Sequence, residues 1–217
     1  CLAMSAMAAV LLSTVSTSHA AILPFGPQND VTLTQVSDWG FSTCSVVNAS
    51  TSNESSRPAA MLAGCAGDYL MMAMRRVGST TYDVLAAAHY GDVLFESGTG
   101  DVTHLANGSE WYFNDNFSWG FAGAGDVVQR DTADIAGWDE RDRLSWHTHD
   151  YLSAGYRSGT NVAGDLGWEK VLLVADAVSA VPEPESVALV GLALAGLGLT
   201  RRRIGQDCSG LDRARSR

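Results

Sequence analysis

The chain has 217 residues, 46% of them hydrophobic, and a formal net charge of -10 at pH 7. Of its 14 basic and 24 acidic residues, six arginines and two aspartates lie beyond Thr200, which leaves residues 1–200 with 8 basic and 22 acidic groups, a net of -14. So acidic a body repels phosphate backbones and anionic headgroups, which excludes nucleic acid as a partner, and the length suits one folded body with appendages.

The N-terminus begins with an apolar stretch over residues 2–12, followed by small polar residues and Ser18-His19-Ala20. Small residues at the -3 and -1 positions suit signal peptidase, so residues 1–20 read as a signal peptide, with Ala21 as the first mature residue. The segment lacks a positive n-region and an initiator Met, and reads as truncated at its start. Cys1 then falls in the leader and Cys208 in the basic tail, leaving Cys44 and Cys65 as the thiols of the body. Two cysteines in an exported chain predict a disulfide. Closing a loop of roughly 20 residues would contribute on the order of 3 kcal/mol on the chain-entropy model.

Residues 48–57, NASTSNESSR, are polar and read as an exposed loop bridged at its ends by that bond. Residues 58–74 are ambiguous, since Met61, Leu62, Cys65, Leu70, Met71 and Met74 partly follow helical spacing while Gly64 and Gly67 weaken one continuous helix. A strand after Gly67 is favoured. Short runs rich in β-branched and aromatic residues follow at residues 69–74, 82–86, 92–95, 144–149 and 171–174, separated by glycines. Asn107-Gly108, set between Val102-Thr103-His104-Leu105 and Trp111-Tyr112-Phe113, is a hairpin signal. The rhythm predicts a mainly β body over residues 21–180, an antiparallel β-sandwich or jelly-roll-like fold.

Signals for chemistry are sparse. His147 and His149 would share one side of a strand near Asp142 and Asp150, but no third ligand stands at a telling spacing, and no metal site is predicted. The acids at Asp131, Asp134, Asp139, Glu140 and Asp142, and the cluster Asn114-Asp115-Asn116, lack the ligand order of an EF-hand loop. There is no G-x-S-x-G, S-x-x-K, H-E-x-x-H or glycine-rich phosphate loop, so no catalytic residue and no cofactor is assigned, and the body is not expected to be an enzyme. A secreted hydrolase without a recognisable motif is the remaining enzymatic alternative. Trp111, Tyr112, Phe113, Phe117, Trp119 and Phe121 crowd one stretch, interleaved with amides and an acid. Such a set grips sugar rings, with Trp111, Tyr112 and Trp119 as the glycan contacts, or else fills a half-buried strand and turn with its rings inward.

The C-terminal region has three parts. Pro182, Glu183 and Pro184 form a stiff, extended segment presenting one acid; an apolar run of about 15 residues follows; Arg201, Arg202 and Arg203 close it. As a helix the run would span roughly 22 Å against a hydrocarbon core of about 30 Å, a marginal span further weakened by Gly191, Gly196 and Gly198. A short, weak apolar tail with a basic stop has the character of a processing signal held briefly in the membrane.

On these residues the segment at 181–203 resembles the PEP-CTERM sorting domain of Gram-negative exported proteins. The resemblance implies that an exosortase, an integral-membrane cysteine transpeptidase, reads Pro182, Glu183 and Pro184, with residues 187–199 as the retention helix and Arg201, Arg202 and Arg203 as the stop. Residues 204–217 extend beyond the usual end of such tails and read as a disordered basic extension. The expectation is an exported protein with an inner-membrane intermediate, destined for the cell surface or extracellular matrix and associated with biofilm or exopolysaccharide. A carbohydrate-binding module is the alternative.

Overall fold

The computed structural model describes residues 21–51, 57–100, 102–126, 142–148, 155–157, 160–161 and 166–177, with backbone alone at 155–157 and 160–161. The elements in chain order are β1 (Gln28–Thr32), α1 (Leu33–Asp38), β2 (Ser42–Asn48), α2 (Pro58–Leu62), β3 (Tyr69–Arg76), β4 (Thr81–His89), α3 (Tyr90–Val93), β5 (His104–Ala106), β6 (Ser109–Phe113), β7 (Ser118–Gly123), β8 (Leu144–His147), β9 (Gly155–Arg157), β10 (Thr160–Asn161) and β11 (Trp168–Ala175). Among the described residues the strands form two sheets, in the orders β1-β4-β3-β11-β2 and β10-β9-β8-β7-β6-β5. All their strand pairings are antiparallel.

The predicted β-rich body takes the sandwich form. The second sheet is a plain meander, each strand pairing with its sequence neighbour. The first is closed by the last strand of the body, β11, which inserts between β3 and β2. Alternation along the strands decides which side chains meet. Leu70, Met72 and Met74 of β3, Val84, Ala86 and Ala88 of β4, and Trp168, Leu172 and Val174 of β11 share one core with Trp111, Trp119, Phe121, Leu144 and Trp146 of the meander. The intervening residues of the first sheet, among them Met71, Ala73, Leu85, Ala87, Val171 and Leu173, face the other way and pack with Val36 and Phe41. That outer layer is set by α1, whose N-cap Thr32 accepts a hydrogen bond from the Gln35 amide at 3.1 Å. Ala21 and Leu23 pack on the same layer, and the Ile22 amide donates to the Trp39 carbonyl at 2.8 Å.

The Asn107-Gly108 turn joins β5 to β6 as a two-residue hairpin, with φ of 47° and 75° at the two positions, the left-handed pair such a turn requires. Asn107 also ties the sheets together. Its Nδ2 donates to the carbonyls of Pro24 (2.6 Å) and Ala87 (2.8 Å), while its own carbonyl accepts from the Gly26 amide (2.8 Å). Asn107→Asp removes that donor and sets a carboxylate against two carbonyl oxygens. The expected cost is about 2–4 kcal/mol at neutral pH, read as a lowered urea midpoint.

Residues 92–95 differ from expectation. Their composition predicts a strand, yet Tyr90–Val93 forms one short helix that turns the chain out of β4 and buries Val93. In the ambiguous stretch at 58–74, a short helix started by Pro58 ends at Leu62, and the strand begins at Tyr69, past both glycines. The predicted signal peptide at 1–20, the sorting segment at 181–203 with its apolar helix, and the tail at 204–217 lie outside the described residues. Among the described residues no helix is long and apolar enough to cross a membrane.

Candidate functional site

The aromatic stretch is the first place to look for a site, and its geometry is that of a core. In β6 and β7, Trp111 pairs with Phe121 and Phe113 with Trp119 across the strands, with ring centroids 5.3 and 5.6 Å apart. Trp119 then meets Trp146 of β8 edge-on at 5.5 Å. Trp111 and Trp119 are each 1% exposed, and their indole N–H groups donate to the carbonyls of Ala106 and Val93, both at 3.2 Å. Tyr112, on the opposite face of β6, is 0% exposed, and its hydroxyl donates to the Gly98 carbonyl at 3.3 Å. A sugar needs an open ring face. The assignment of Trp111, Tyr112 and Trp119 as glycan contacts is therefore corrected: period-2 alternation sends the two tryptophans into the inter-sheet core, and Tyr112 is buried as well.

The polar clusters are likewise spent on structure. Asn114 donates through Nδ2 to Glu96 Oε1 and the Gly98 carbonyl, both at 2.8 Å, and its Oδ1 accepts from the Asn116 amide at 2.9 Å, which makes Asn114-Asp115-Asn116 a pinned turn. Asp142 accepts from Asn29 Nδ2 at 2.6 Å, tying the meander to β1. His147 lies on β8, half-buried; His149, Asp150 and the acids at 131–140 lie outside the described residues. A separate pair joins His104 Nε2 to Asp92 Oδ1 at 2.8 Å, with Phe95 stacked on the imidazole at 4.6 Å. Among the described residues, no group of three or more His, Cys, Asp or Glu side chains is placed to hold a metal ion.

Lys170, the only lysine, was not singled out for a role by its sequence context, yet it lies on the core-facing side of β11 at 0% exposure. Its strand neighbours are Met74 and Val47, and Nζ finds no hydrogen-bond partner among the described residues. Burial pushes its pKa down from 10.5 to about 8. Burial acts in the opposite sense on the phenols, raising Tyr82 and Tyr90 above 10.0.

Several contacts converge on β11 where the described chain ends toward the C-terminus. Cys44 of β2 and Cys65 are joined in a disulfide with their Cα atoms 5.1 Å apart. Cys44 Sγ lies 3.4 Å from the Leu172 carbonyl oxygen of β11. From Cys65 the chain continues past the end of β11 to start β3 at Tyr69, which pairs with Ala175. A Cβ on Gly67 would stand 3.0 Å from the Ala175 carbonyl oxygen and 3.2 Å from Val174 Cβ, so only glycine passes there without displacing β11. The next residue, Asp68, accepts from the Ala177 amide at 2.7 Å. Tyr90 supports the crossing by donating to the Cys65 carbonyl at 3.2 Å.

Three residues past Ala177 begins the stretch of residues 180–203, matched by a family model described as the PEP-CTERM protein-sorting motif. The chain carries a PEP-CTERM sorting motif. Pro182, Glu183, Pro184 and Arg201, Arg202, Arg203 all fall inside the match. The PEP-CTERM motif indicates exosortase-dependent sorting to the cell surface or beyond, and an exosortase as processing partner. No curated protein and no solved structure matches the chain. Sequence reasoning missed Gly67 and Asp68; two glycines flanking a body cysteine were the available signal.

Proposed function

We propose that this protein is an exported surface or matrix component of an exopolysaccharide-producing bacterium, in which a disulfide-bonded β-sandwich is delivered and processed through its PEP-CTERM tail. The observation that carries the reading is the motif match at 180–203, directly downstream of the strand that closes the body. On this reading the apolar run holds an intermediate in the inner membrane, with the basic cluster on the cytoplasmic side. The stiff Pro182-Glu183-Pro184 segment offers the exosortase an extended ligand of low ordering entropy. The body performs no catalysis itself and acts as the delivered cargo, associated with biofilm or exopolysaccharide.

The disulfide fits an oxidising compartment outside the cytoplasm. Replacing Pro182, Glu183 and Pro184 together with alanine should leave an unprocessed, membrane-held form in the native host, seen as a heavier band confined to the membrane fraction. Unchanged processing of that variant would reject exosortase recognition through the motif.

A further inference from the structure

We propose that residues 63–68, closed by the Cys44–Cys65 disulfide, form a strap across the tail-bearing strand β11 that locks it against force applied through the C-terminus. The inference rests on the sorting reading only in taking the C-terminus as the point of attachment. β11 lies between β2 and β3. The disulfide starts from Cys44 on β2, and the chain beyond Cys65 arrives at β3, so a covalent link joins the two strands that flank β11. The link is tight, as the Gly67 approach to Val174 and Ala175 shows, and Asp68 holds the Ala177 amide where the chain leaves the sheet. Without the bond, the edge strand β2 is tied to β3 across β11 only by the full backbone connection of residues 49–68, which the disulfide shortens to the few residues after Cys65.

Reduction opens the strap. A dithiol supplies two electrons and two protons, the S–S bond breaks to two thiols, and the reductant closes to its own cyclic disulfide.

The test is single-molecule pulling on the full chain in two geometries, with handles at the Gly78 turn and the C-terminus, or at the Gly78 and Gly125 turns. In the turns the handles attach at the exposed neighbours Val77 and Ala124, because Gly78 and Gly125, with φ of 76° and 81°, would be strained by any side chain. The 44–65 loop lies off the tethered path in each case, so the released contour length is the same in either redox state. The expected result is unfolding at least about tenfold slower for the oxidised chain when load enters through the C-terminus, and a clearly smaller redox effect in the second geometry. Equal rates in the two redox states, or an equal effect in both geometries, overturns the strap. Should the reduced chain fail to fold, Asp68→Ala with the disulfide intact replaces it: faster unfolding only under C-terminal load supports the proposal, and no difference overturns it. None of these outcomes depends on whether an exosortase cleaves the tail, which the alanine replacement of Pro182, Glu183 and Pro184 tests separately.

Discussion

Gly120→Ala will destabilise the body by on the order of 3 kcal/mol or more, although it adds a single methyl group to a residue in mid-strand. Gly120 sits in β7, opposite Tyr112 of β6 and Ser145 of β8. A Cβ there would collide with the Leu144 carbonyl oxygen and stand 2.9 Å from Ser145 Cα. Both obstacles are backbone, so no side-chain rotation relieves them. Relief requires β8 to move off β7, which separates Trp119 from Trp146 and opens the centre of the inter-sheet core. Urea denaturation with tryptophan emission measures the loss directly. A cost below about 1 kcal/mol would mean that β7 and β8 can part without disturbing the tryptophans.

Lys170→Met is expected to act in the other direction and stabilise the protein at neutral pH. The folded pKa of about 8 lies below the unfolded 10.5, so the unfolded chain takes up this proton first as pH falls. Stability therefore declines as pH drops from about 10.5 to about 8, and the penalty is complete below that. At 1.36 kcal/mol per unit the shift corresponds to about 3 kcal/mol at pH 7. Methionine fills a similar volume beside Met74 and Val47 without a charge to desolvate. The variant should gain about 2–3 kcal/mol over the parent at pH 7, and the gain should shrink at pH 10 and above. A pH-independent difference would mean that Lys170 stays charged in the core.

Why the sequence shows some of this and hides the rest follows from what each signal measures. The body reads as β-rich because glycine-punctuated runs such as YLMMAM and VLLVA carry enough apolar and β-branched residues to mark strands buried on both faces. Edge strand β2, STCSVVN, carries no such mark. It is half-exposed along most of its length and its Ser/Thr content resembles a loop. Residues 92–95 mislead for the opposite reason, because Val93, Leu94 and Phe95 give strand-like composition to the last residue of a four-residue helix and the two residues that follow it, and only Val93 of the helix is buried. The aromatic stretch contains the right residues for two incompatible roles. Pairing register alone, Trp111 against Phe121 and Phe113 against Trp119, separates them. Lys170 is hidden in principle: a lysine between glutamate and valine reads as solvated, and nothing local announces that β11 will be enclosed by two strands and covered by a second sheet. The sorting segment is legible for the converse reason, since an enzyme must read it as a short linear sequence.

The measurement that bears most directly on the central claim is intact-mass spectrometry of the protein recovered from its native envelope and culture medium. The account predicts a mature species that starts at Ala21, keeps the Cys44–Cys65 bond, and ends near Pro182, Glu183 and Pro184, without the apolar run or the arginines. A species that retains residues 187–203 would contradict it and make the segment a permanent anchor.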